Sequence, residues 1–145
     1  MTRRNAVVRA GMAAAASGLT LLGMAVPASA VDGWVSAESP NGQAYGKTYL
    51  NFTSSTMVRF DDIYLNDRCP GDDVRARIEL YIRRTGDTGW QKVGEREDIG
   101  GCGSDPLRDS TYFSSTLEID DAGIKVCSKG GCSPMQWNDN PHWVG

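Results

Sequence analysis

From Val74 to Ile82 every second residue is apolar: Val74, Ala76, Ile78, Leu80 and Ile82 alternate with Arg75, Arg77, Glu79 and Tyr81. A period of two marks a β-strand with one face on a core and the other in water. Met57 to Leu65 carries the same alternation with a fault in it. Val58 and Phe60 share one parity while Ile63 and Leu65 share the other, which predicts a bulge or bend at Asp61-Asp62. The turn-forming run Thr85-Gly86-Asp87-Thr88-Gly89 then leads into a returning strand over Trp90 to Glu97. These three strands are expected to form a meander.

Downstream, Phe113, Leu117 and Ile119 share one face of a stretch from Tyr112 to Ile119. Asp120-Asp121-Ala122-Gly123 reads as a hairpin connection, with Gly123 free to take a positive φ, into a short strand bearing Ile124, Val126 and Cys127. Ala44 to Phe52 supplies a further strand and Trp34-Val35 a short N-terminal one. The segment from Gly100 to Ser110 is too rich in glycine, serine and aspartate to assign. No window after residue 30 carries a sustained helical stripe. Short strands separated by Gly/Asp turns predict an all-β fold, a small antiparallel β-sandwich or barrel.

The first thirty residues have a different character. Met1 to Arg9 is basic, Ala10 to Val31 is uncharged with an apolar centre, and Ala28-Ser29-Ala30 is a small-x-small exit. That order is the pattern of a secretory signal peptide, cleaved after Ala30. The apolar centre is diluted by alanine and glycine and interrupted by Pro27, which argues against a membrane anchor and for the absence of stable membrane insertion. Arg3-Arg4 raises twin-arginine export, but Asn5-Ala6-Val7 suits the general route better. The remaining 31–145 is expected to be one secreted, extracellular, monomeric domain.

Charge then narrows the partners. Without residues 1–30 the chain keeps 12 basic against 18 acidic residues, a formal charge of −6. An acidic body is a poor ligand for nucleic acid, which needs phosphate-neutralising cations.

All four cysteines, Cys69, Cys102, Cys127 and Cys132, follow the exit site. An even set in an exported domain implies two disulfides, and four cysteines allow three pairings. The meander favours Cys69–Cys102, and the short Ser128-Lys129-Gly130-Gly131 loop favours Cys127–Cys132. Zinc would want closer cysteine pairs or more histidine than His142 alone, so no metal site is expected there. No D-x-[DN]-x-[DN]-G calcium loop is present either. The expectation is a domain with no cofactor.

Catalytic signals are weak. His142 has no G-x-S-x-G serine to serve, and oxidised cysteines supply no thiolate. The acids Asp61-Asp62, Asp72-Asp73, Glu95, Glu97-Asp98 and Asp120-Asp121 could work in pairs only if two of them met across a cleft. The stripe Arg75, Arg77 and Arg83 reads as a solvated strand face. Asn51-Phe52-Thr53 has the form of a glycosylation sequon on a strand. Near the C-terminus, Trp137, Asn138 and Trp143 combine aromatic rings with an amide, which suits sugar or peptide recognition, or else ties the chain end to the sheet.

The sequence thus predicts a secreted, non-catalytic, disulfide-stabilised β domain that binds an extracellular protein or glycan. A peptidase inhibitor is its most concrete form, presenting a pinned loop such as Asp67 to Asp72 or Ser128 to Pro134. The alternatives are a small hydrolase using paired carboxylates and a structural protein of the cell envelope.

Overall fold

The computed structural model describes residues 31–68, 74–101 and 104–143. Nine strands follow in order: β1 (Gly33–Glu38), β2 (Ala44–Ser54), β3 (Met57–Asp67), β4 (Arg77–Arg84), β5 (Gln91–Glu97), β6 (Leu107–Ser114), β7 (Ile119–Ser128), β8 (Gly131–Cys132) and β9 (Gln136–Asp139). No helix occurs among the described residues. The strands form two antiparallel sheets, one in the order β1-β2-β3-β6 and the other β5-β4-β7-β8, with β9 also paired to β7.

The expected alternation in β4 holds, with Ala76, Ile78, Leu80 and Ile82 buried, although Val74 lies exposed before the strand begins. The fault in β3 is also real. Register against β6 shifts between Phe60 and Ile63, and Asp62 adopts a left-handed φ of 51°. One extra residue there flips the parity, so that both Val58-Phe60 and Ile63-Leu65 reach the core. The buried Thr48 hydroxyl donates to the Asp61 carbonyl at 2.8 Å, satisfying an acceptor beside the distortion.

Three expectations need correction. The meander does not form, because β3 pairs with β2 and β6 whereas β4 pairs with β5 and β7. Each of β3 and β4 has one thoroughly apolar face, and both faces enter the same buried cluster, with Phe60, Ile63 and Leu65 from one sheet and Ile78, Leu80 and Ile82 from the other. One shared cluster buries both stripes, where edge pairing would leave them side by side on one sheet. Asp98 helps tie the two sheets, since its carboxylate accepts from the Asp67 N–H at 3.3 Å while its own N–H donates to the Ala76 carbonyl at 3.0 Å.

The second correction concerns Asp120 to Gly123, which lies inside β7 and makes no hairpin. Asp121 stands opposite Arg83 on β4, and that ion pair supports a carboxylate where the sequence suggested a turn. Gly123 has no positive φ. Its need is space, because an added Cβ would come within 2.6 Å of the Gln136 carbonyl oxygen and 2.8 Å of the Trp137 Cβ. Similarly, the stretch from Tyr112 to Ile119 is not one strand: β6 ends at Ser114 and β7 begins at Ile119.

A disulfide joins Cys127 to Cys132, facing partners on β7 and β8. Cys69 and Cys102 lie outside the described residues, as do residues 1–30, Asp72-Asp73 and most of the stretch from Asp67 to Asp72.

Candidate functional site

Register across the second sheet assembles the site. Arg83 on β4 faces Asp121 on β7, and Asp121 faces Asp139 on β9. The next row holds Tyr81, Gly123 and Trp137. Because Gly123 has no side chain, Trp137 passes closely over it. The turn before β5 brings in Trp90, whose ring centre is 6.1 Å from that of Trp137. The Arg83 guanidinium lies 5.5 Å from the Trp90 ring and 5.9 Å from the Trp137 ring. An arginine held against two indoles and one carboxylate has little rotamer freedom left.

Arg83, Asp120, Asp121, Asp139, Asn140 and Trp143 line an adjoining hollow of about 280 Å³. Asp121 is only 1% exposed. Burial, and then the hydrogen bond and charge of Asp139, push its carboxyl up to about 7 against the opposing pull of Arg83. Two acids directly opposite on adjacent strands repel when both are ionised, and a proton held between them removes the repulsion. On the far wall Thr85 donates to Asp120 at 2.5 Å, and the Trp143 indole N–H donates to the same Thr85 hydroxyl at 3.0 Å.

The three tail residues singled out from the sequence therefore separate. Trp137 and Trp143 are 43% and 44% exposed, and Arg83 connects them as the neighbour of one and a wall of the other's hollow. Asn138 has the opposite parity on β9 from Trp137 and pairs with Ala122, with its amide nitrogen beside Gly33. It does not join the indoles. The chain end is tied down by Asn140, 2% exposed, whose amide donates to the Ile119 and Ser54 carbonyls at 2.8 and 3.2 Å. His142 is exposed, and among the described residues only its backbone N–H is engaged, with the Asn140 side chain.

Sequence reading missed Arg83, Asp139, Asn140 and Trp90 as one group, because they come from three separate strands and turns. Arg77 of the same stripe is neutralised. Arg77 and Lys92 both contact the buried Glu79 carboxylate, at 3.1 and 3.0 Å, and the Tyr81 hydroxyl donates to it at 2.6 Å. Burial opposes ionisation of Glu79, but these donors outweigh it and lower its pKa. Burial and the bond to Glu79 raise Tyr81 to about 12. Glu79 also lies near the sulfurs of Cys127 and Cys132, but sulfurs bonded to each other are not thiolate ligands.

In chemical terms the site offers flat apolar ring faces, hydrogen-bond acceptors on three carboxyl groups and one oriented guanidinium. Comparison with protein-family models, with characterised proteins and with solved structures finds no match to this chain.

Proposed function

We propose that the chain is exported, that its two sheets stack as a β-sandwich, and that the mature domain acts without catalysis by binding an extracellular glycan. The observation carrying this reading is the exposed Trp137 ring, fixed beside Trp90 by Arg83, which also forms a wall of the acid-lined hollow. Sugar rings present C–H faces that pack on indole, and their hydroxyls donate to carboxylates. Because Asp120, Asp121 and Asp139 outnumber Arg83 around the hollow, the fitting sugar is uncharged.

The carboxylate pair invites the hydrolase alternative. Glycoside hydrolysis places its two carboxyl groups about 5–10 Å apart, with the scissile bond between them. Asp121 instead is almost fully buried and directly opposite Asp139 on the neighbouring strand, out of reach of a substrate bond. Their arrangement favours a structural proton over a catalytic one.

A protein partner has one feature in its favour. The Cys127–Cys132 bridge pins a tight turn whose tip, Lys129-Gly130, is exposed. A stiffened basic tip is the kind of preorganised loop a peptidase inhibitor presents.

Affinity electrophoresis through gels containing a neutral β-glucan or xylan tests the main reading. Retardation of the wild-type domain and normal mobility of Trp137→Ala are expected. Equal mobility of both proteins in every neutral gel, together with inhibition of a trypsin-like peptidase that Lys129→Ala abolishes, would replace it with the inhibitor reading. Release of reducing ends would replace it with the hydrolase.

A further inference from the structure

The outer face of the β1-β2-β3-β6 sheet carries a concentration of aromatic residues that the core does not require. Trp34 faces Tyr49, Lys47 faces Tyr64, and Tyr64 faces Arg108 across three successive ladders. Tyr45 completes the patch, 6.2 Å from Tyr64 between ring centres. Trp34 is 52% exposed. These side chains stand on the parity opposite to Val35, Leu50 and Leu65, so the apolar core gains nothing from them.

Two cations of this face differ from the rest. Arg59 is paired with Asp61 and Arg68 with Glu38, whereas Lys47 and Arg108 contact only ring faces among the described residues. The Lys47 ammonium is 4.8 Å from the Trp34 ring centre and 5.8 Å from that of Tyr64, and the Arg108 guanidinium is 5.4 Å from Tyr64. Both border a hollow of about 580 Å³ that also takes in Asp62, Asp109 and Ser110. Asp109 is bonded to Arg96, which leaves two unneutralised cations against the single carboxylate of Asp62. Asp62 is the residue forced to a positive φ at the β3 distortion, and its N–H is held by the Ser110 hydroxyl at 3.1 Å. A non-glycine residue persists in that region where the surroundings over-determine it.

We propose that this face is a second binding surface, distinct from the Trp137 site, and that it takes an acidic polysaccharide. Sugar carboxylates meet Lys47 and Arg108 while the pyranose rings lie on Trp34 and Tyr64. Charge complementarity is local, since the domain as a whole is acidic and this row is not. The same acidity disfavours nucleic acid, whose closely spaced phosphates need many more cations than two.

Affinity electrophoresis of the full-length and the processed protein through polygalacturonate gels tests this, with dextran gels and single-stranded DNA as competitors. Polygalacturonate should retard the protein in low salt, and the Lys47→Gln/Arg108→Gln double variant should bind about tenfold more weakly. Trp34→Ala, an exposed ring, should also weaken binding. Trp137→Ala should leave this binding unchanged, which separates its failure from failure of the neutral-glycan reading. No retardation beyond dextran, or retention indifferent to both Lys47→Gln/Arg108→Gln and Trp34→Ala, would overturn the proposal. Displacement by single-stranded DNA at equal charge would overturn the polysaccharide assignment.

Discussion

Asp121 and Asp139 stand directly opposite each other across the β7–β9 ladder, two acids in one row with Arg83. Burial first, and Asp139 second, raise Asp121 from 3.8 to about 7. A group that binds its proton more tightly when folded stabilises the fold while protonated. Its contribution is complete below about pH 4 and is lost as the pH rises through about 7. Thermal melts should therefore show a lower midpoint at about pH 8 than at about pH 5, and Asp139→Asn should flatten that difference by removing the competing charge. A wild-type midpoint that climbs across this range, or a slope unaltered in Asp139→Asn, would contradict the shared proton.

Gly123 sets how closely β9 lies on β7. In Gly123→Ala the new methyl meets the Gln136 carbonyl and the Trp137 Cβ, both tighter than side chains tolerate. Displacing β9 should cost about 1–3 kcal/mol in denaturant unfolding and shift the tryptophan emission of the folded protein. A fully wild-type spectrum and stability would show that this approach does not constrain Trp137.

The short cross-strand bridge should matter less than its chemistry suggests. A loop closed over only five residues of separation restricts the unfolded chain little. Replacing both Cys127 and Cys132 by serine should lower stability by about 2 kcal/mol, measured by urea unfolding, and leave the circular dichroism of the sheet intact.

Asn140 offers a sharper test of how the chain end is held. Its buried amide donates to carbonyls of Ile119 and Ser54, and its backbone N–H donates to Asp120. Asn140→Ala leaves buried acceptors without that donor and should cost about 1–3 kcal/mol, with hydrogen exchange in β9 accelerating first. Trp143→Ala should cost far less, because among the described residues its indole N–H bonds a single surface hydroxyl.

Strands β2, β3 and β4 were legible because their signal is local. Alternation in β2 to β4 and the parity flip at Asp61-Asp62 are written in consecutive residues. Asp120-Asp121 misled for the opposite reason. Two acids followed by glycine resemble a turn until Arg83, distant in the chain, supplies the counter-charge. The Trp90–Arg83–Trp137 group is equally non-local, and only strand register brings it together. Trp137 and Trp143 stood out by residue type alone, whereas Asn138 was set apart from them by a parity that becomes visible only once β9 is known to pair with β7.

The central claim is that the indoles around Arg83 receive an uncharged sugar. Indole N–H resonances report this directly, since the protein has four tryptophans and each gives its own signal. On titration with a neutral oligosaccharide, the Trp90, Trp137 and Trp143 signals should shift together while Trp34 stays fixed. Shifts confined to Trp34, or no shift at saturating sugar, would contradict the account.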